Sequence, residues 1–171
     1  VYMRVQKVPL LRAPKLQRPV IEKKELGALL DEPPDTPIGN RDRVILILLF
    51  DSAVRVSELT GIVLGDLSLD VSHPSITVYG KGKKTRTITL NTKCAEHVKE
   101  YIRRYHKPDT PPDTPLFYTI IHGKVNHMSQ RNIERIVKKY GDIVRKEHPA
   151  LPDSIYPHMF RRTRATGMYR N

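Results

Sequence analysis

The sequence predicts a mainly α-helical domain with a small antiparallel β-sheet, an α+β fold, and three observations carry that expectation. Ile133, Ile136, Val137, Tyr140, Ile143 and Val144 recur at the i, i+3, i+4, i+7 spacing of a one-faced helix. The stretch VILILLF, residues 44–50, is apolar on every side, as a helix at the centre of a core must be. Two β-branched runs, SITVY (75–79) and TRTITL (85–90), flank a glycine–lysine turn, the pattern of a hairpin. With 171 residues the chain is long enough for one domain with a substantial core.

Residues 1–19 scatter basic residues among prolines and valines without a helical period and read as a linker or N-terminal arm, leaving 20–171 as the domain. After Ile21, Leu26, Leu29 and Leu30 share one helical face, with charges at Glu22, Lys23, Lys24 and Glu25, until the prolines of EPPDTP end that helix. PPDTP returns at 111–115; two short copies are no repeat architecture and read as similar surface loops. Asn40 is the expected N-cap of the central helix, with Asp42 at its positive end. A short helix should start near Val56, a short strand should cover Asp66–Asp70, and the hairpin follows. Asn91 or Thr92 caps the next helix, with Val98, Tyr101, Ile102 and Tyr105 on its inner face. Leu116 and Phe117 follow a proline-rich loop, and Ser129 caps the long amphipathic helix. Beyond a loop bracketed by Pro152 and Pro157, His158–Tyr169 should be helical.

Thirty Lys+Arg against eighteen Asp+Glu leave a net charge of +12, so a polyanionic partner is expected, nucleic acid ahead of an anionic membrane or an acidic protein. The longest apolar run, ILILLF, is far too short to cross a bilayer, and no signal peptide opens the sequence. Cys94 is alone, which excludes an internal disulfide or a cysteine cluster and fits a reducing cytoplasm. The absence of tryptophan and the few aromatics argue against a base-stacking single-strand binder.

Three clusters could carry chemistry. Arg55, in DSAVRVSEL, directly follows the buried helix, where a guanidinium needs either a carboxylate, Glu58 or Asp66, or a phosphate. Lys81, Lys83, Lys84 and Arg86 surround the turn of GKGKKTR, which is either a solvated charged turn or a finger on a phosphate backbone; its spacing is not that of a P-loop. His158 and Arg161 in HMFRR are three apart, so on a helix they share a face and both can donate to one phosphate; the bland alternative is a helix with a basic exterior. His122 and His127 lack metal-site spacing, and Ser57 and Ser129 lack the G-x-S-x-G context of a nucleophile.

Taken in order, R-V-S-E-L, the hairpin G-K-G-K-K-T-R and H-M-F-R-R resemble the tyrosine recombinase (phage integrase) family over roughly residues 20–171. The resemblance implies that family's catalytic-domain fold and a site-specific recombinase or integrase of a mobile element. Such an enzyme cuts and rejoins double-stranded DNA through a 3′-phosphotyrosyl intermediate, with no metal or other cofactor. By resemblance, Arg55 and Arg161 hold the scissile phosphate and Lys81 protonates the leaving oxygen. His158 donates to the phosphate or accepts the tyrosine proton. Lys83, Lys84, Arg86, Arg162 and Arg164 are the expected further DNA contacts. Arg162 stands where the family often has histidine, and Ala53 where it usually has glycine, although alanine adopts a positive φ only at a cost. The family's Leu-Gly-His motif and nucleophilic tyrosine lie further along, and Tyr169 falls at an ordinary helical position. The expectation is therefore a catalytic domain incomplete at its C-terminus, whose full-length protein assembles as a tetramer on DNA, away from membranes. The alternatives are a non-catalytic DNA-binding or regulatory remnant and, disfavoured by the scarcity of aromatics, an RNA-binding helical domain.

Overall fold

The computed structural model describes residues 19–80, 82 and 84–169. The expected arm thus lies, but for Pro19, outside the described residues, as do Lys81 and Lys83. The first helix, α1 (Lys23–Asp31), buries Leu26 and Leu29. The central helix, α2 (Pro37–Asp51), starts earlier than Asn40: the Thr36 hydroxyl accepts the Gly39 N–H at 3.1 Å. Pro37 fills the first helical position, where its missing N–H costs nothing. Asn40 lies within the first turns, and its amide donates to the Asp35 carboxylate and the Tyr105 hydroxyl. Val44, Ile45, Leu46, Leu48 and Leu49 are buried, with Ile47 and Phe50 half-buried, and the helix packs against α1 and three helices further along the chain.

A short helix, α3 (Val56–Leu59), and a 3₁₀ turn (Leu64–Asp66) lead into the strands β1 (Leu67–Ser68), β2 (Ser75–Tyr79) and β3 (Thr85–Thr89). They form an antiparallel sheet in that order, with Ile76 opposite Ile88 and Val78 opposite Arg86. The strand expected at Asp66–Asp70 is only two residues long. In α4 (Thr92–Tyr105) Asn91 is the cap, accepting the Cys94 N–H at 2.7 Å, and Cys94, Ala95, Val98 and Tyr101 face the core. Burial first, and then the nearby Asp51 carboxylate, pushes the Cys94 thiol up, so it stays protonated and inert.

A second antiparallel pair, β4 (Tyr118–Ile121) and β5 (Lys124–His127), was not expected from the sequence. His122 and Gly123 make its two-residue turn with φ of 51° and 74°, the left-handed pair that suits a hairpin's twist. Ser129 caps α5 (Gln130–Val144), whose apolar face is buried as its period requires, Ile143 partly. The last helix among the described residues, α6 (Pro157–Tyr169), turns Met159, Phe160 and Thr163 inward. The Thr163 hydroxyl accepts the Ile21 N–H at 3.0 Å, which clasps α6 to the start of α1 across the domain. No helix among the described residues is long and apolar enough to cross a membrane.

Candidate active site

The segment between α2 and α3 presents the first candidate residue, Arg55. The Ser52 hydroxyl closes α2 by donating to the Leu48 carbonyl, and Ala53 then turns the chain in the left-handed region, φ 49°. Val54 plugs into the core and Arg55 becomes the N-cap of α3. The Ala53 carbonyl accepts a 2.7 Å hydrogen bond from Arg161 Nη1, 108 positions away in sequence. Two residues span at most about 7 Å of backbone, so this bond brings α6 to the loop that presents Arg55.

A left-handed alanine costs about 1–2 kcal/mol, which glycine avoids. Ala53→Gly is therefore expected to stabilise the fold by about 0.5–1 kcal/mol, after subtracting the greater freedom glycine gives the unfolded chain. Urea denaturation checks this, and a lower midpoint for the variant would contradict it.

Glu58 is the electrostatic hub. Its carboxylate is buried and accepts four hydrogen bonds: from Arg86 Nη1 and Nη2 at 2.7 and 2.8 Å, from the Arg55 N–H at 2.8 Å and from Arg55 Nη1 at 2.9 Å. The Arg86 guanidinium first, and then the backbone and side chain of Arg55, hold this carboxyl down at about 2 although burial pushes it up. The same pairing pushes Arg86 higher. Of the partners open to Arg55 in the sequence, Glu58 is the one engaged, while the Arg55 side chain stays 58% exposed. Asp66 instead accepts the Val63 N–H and shapes the 3₁₀ turn.

The base of the β2–β3 turn closes through the Gly80 N–H on the Lys84 carbonyl at 2.8 Å, with Lys84 exposed beside it. Lys81 and Lys83 fall outside the described residues, as does the Tyr169 side chain. His158 is exposed in the first turn of α6, held there by the burial of Met159 and Phe160, and Arg161 is half-buried one turn on.

Three of the arginines expected at DNA have protein partners. Arg86 grips Glu58. Arg162 donates to the Pro19 carbonyl and the Tyr156 hydroxyl. Arg164 lies 3.5 Å from the Asp51 carboxylate and over the Phe50 ring. Asp51 is buried and also accepts both the N–H and the side-chain amide of Asn91. Arg164 thus balances an interior charge. One signal for Arg86 was present in the sequence: strand alternation puts it on the same face as Ile88. Asp51–Arg164 has no local signal. His122 forms the β4–β5 turn, and His127 Nδ1 lies 2.8 Å from the Thr60 carbonyl.

The sequence model of the family described as the phage integrase family matches residues 19–171. A tyrosine recombinase XerC of Thermodesulfovibrio yellowstonii is 37% identical over 131 residues, 74% of this chain and 40% of the relative. A putative integrase/recombinase, y4rD, of Sinorhizobium fredii is 31% identical over 162 residues, 94% of this chain and 57% of the relative. The chain spans about half the length of the curated relatives it matches. In fold it is similar to the crystal structure of XerA recombinase, with a TM-score of 0.74 and 24% identity over 100% of this chain and 56% of that one. It is also similar to XerH site-specific recombinase bound to a palindromic difH substrate in a post-cleavage complex, with a TM-score of 0.69 and 22% identity over 88% of this chain and 42% of that one.

Proposed function

This chain belongs to the phage integrase family, and from that premise we propose that it is the catalytic part of a site-specific recombinase that cuts and rejoins double-stranded DNA. The observation that carries the reading is the Arg161 hydrogen bond to the Ala53 carbonyl, which puts α6 against the loop presenting Arg55. A scissile phosphate must be gripped from more than one side, and distant residues meet when they share that task.

In the proposed reaction a tyrosine oxygen attacks the phosphorus, a 3′-phosphotyrosyl bond forms and the 5′-oxygen leaves. Negative charge grows on the non-bridging oxygens. Arg55 and Arg161 face those oxygens, and a guanidinium suits them because its planar fork donates two bonds at once. Lys81 protonates the leaving oxygen, and His158 donates to the phosphate or takes the tyrosine proton. Side-chain cations thereby fill the part a metal ion plays in other phosphoryl transfers. Lys83 and Lys84 extend the grip along the backbone, residues 1–19 serve as the linking arm, and the full-length protein works as a tetramer on DNA.

The test is a titration of labelled duplex DNA at several salt concentrations. The logarithm of the affinity should fall linearly with the logarithm of salt, by about 0.9 per phosphate contact. Arg55→Ala should lower that slope by about one contact. A response flat in salt, or an equal preference for single strands, would overturn the reading.

A further inference from the structure

Arg86 is more tightly held than a charged turn requires. It lies on β3 opposite Val78, on the strand face shared with Ile88, and both its terminal nitrogens are on Glu58. The same carboxylate receives the backbone and side chain of Arg55. The turn rests directly on this pair: a β-carbon at Gly80 would sit 3.5 Å from Glu58 Oε1 and 3.7 Å from Arg86 Nη1. Gly80 is also the residue that closes the turn onto Lys84. Glu58 is therefore a junction between two segments that have no reason in sequence to move together. A guanidinium meets both its oxygens with two donors held in one plane, whereas a lysine ammonium is a single point charge on a flexible stem.

We infer that Arg86 is a positioning residue which, through Glu58, locks Arg55 and the base of the β2–β3 hairpin into one rigid unit, so that both meet neighbouring DNA phosphates in a fixed register. The inference rests on the reading of Arg55 as a phosphate ligand. It separates from a plain charge role at one point: Arg86→Lys keeps the charge but loses the fork. If Arg86 only adds positive potential, lysine serves equally well.

The experiment is a double-variant cycle on a short labelled duplex, at a temperature where circular dichroism shows every variant folded. In the wild-type background, Arg55→Ala and Lys84→Ala together should weaken binding at least about threefold less than the product of their separate losses, because each contact helps place the other. In the Arg86→Lys background the two losses should multiply to within about twofold, the behaviour of independent sites. Coupling that survives Arg86→Lys, or that is absent from the wild type, overturns the inference. If Arg55→Ala leaves affinity and salt slope untouched, the functional reading fails instead, and amide exchange of the DNA-free chain then decides the clamp alone. The Arg55 and Gly80 N–H groups should open together in the wild type and separately in Arg86→Lys. Joint opening in both overturns the inference, and general destabilisation cannot mimic separation because it speeds all amides alike.

Discussion

Arg161→Ala is expected to slow DNA cleavage by the full-length protein about 10²–10³-fold, the cost of removing one preorganised donor from a developing oxyanion. The effect should fall on the rate of the chemical step more than on DNA affinity, because the charge it meets is larger in the transition state than in the bound ground state. In the proposed site Arg161 is held without DNA: Phe160 beside it is fully buried, and its Nη1 is fixed on the Ala53 carbonyl. Arg161→Lys should restore little, since an ammonium's donors radiate from one nitrogen and do not span the carbonyl and the phosphate as a planar fork does. Single-turnover cleavage at saturating protein reads the effect. Unchanged cleavage in Arg161→Ala would remove this residue from the proposed site.

Glu58→Gln is expected to destabilise the fold by about 3 kcal/mol at neutral pH, with a loss that disappears in acid. The folded carboxyl titrates at about 2, below its ordinary value of 4.5. A depressed carboxylate contributes its full stability above the unfolded value and loses it as pH falls through the folded one. Wild type and variant should therefore differ most above about pH 5 and converge between pH 4.5 and 2. Urea midpoints across that range test it. The cause is specific: glutamine keeps the shape but leaves Arg55 and Arg86 facing a neutral amide in a buried place. A constant difference at all pH values would mean that shape, and not charge, is what Glu58 supplies.

The helices and the β2–β3 hairpin were legible because they obey one local rule each. The face from Ile133 to Val144 follows the helical period, and SITVY and TRTIT alternate about a glycine turn. The start of α2 at Pro37 was less legible than its core, because the prolines of EPPDTP also signal the end of α1. The Thr36–Pro37 pair is also a start signal, a capping hydroxyl followed by proline at the first helical position. The β4–β5 hairpin was missed because its turn is His122–Gly123, less familiar than Asn-Gly, although Gly123 between TII and KVN carries the same demand for positive φ. Ala53 was legible at the level of strain: an alanine in place of a glycine adopts the costly conformation. The partners of Arg86 and Arg164 were not legible, because charge pairing across 28 positions to Glu58, or from α6 back to Asp51, is set by tertiary packing alone.

The clasp between Thr163 and Ile21 has a consequence for how the protein comes into being. Arg55 and its neighbours leave the ribosome about 5–20 s before Arg161, at ordinary rates of synthesis. Until α6 is made, Ile21 lacks its partner and the Ala53 carbonyl has no arginine to hold. A nascent chain that has made the hairpin and Arg55 therefore still lacks the bond that brings α6 to them. In the proposed site, the meeting of Arg55 with Arg161 thus waits for the folding of α6.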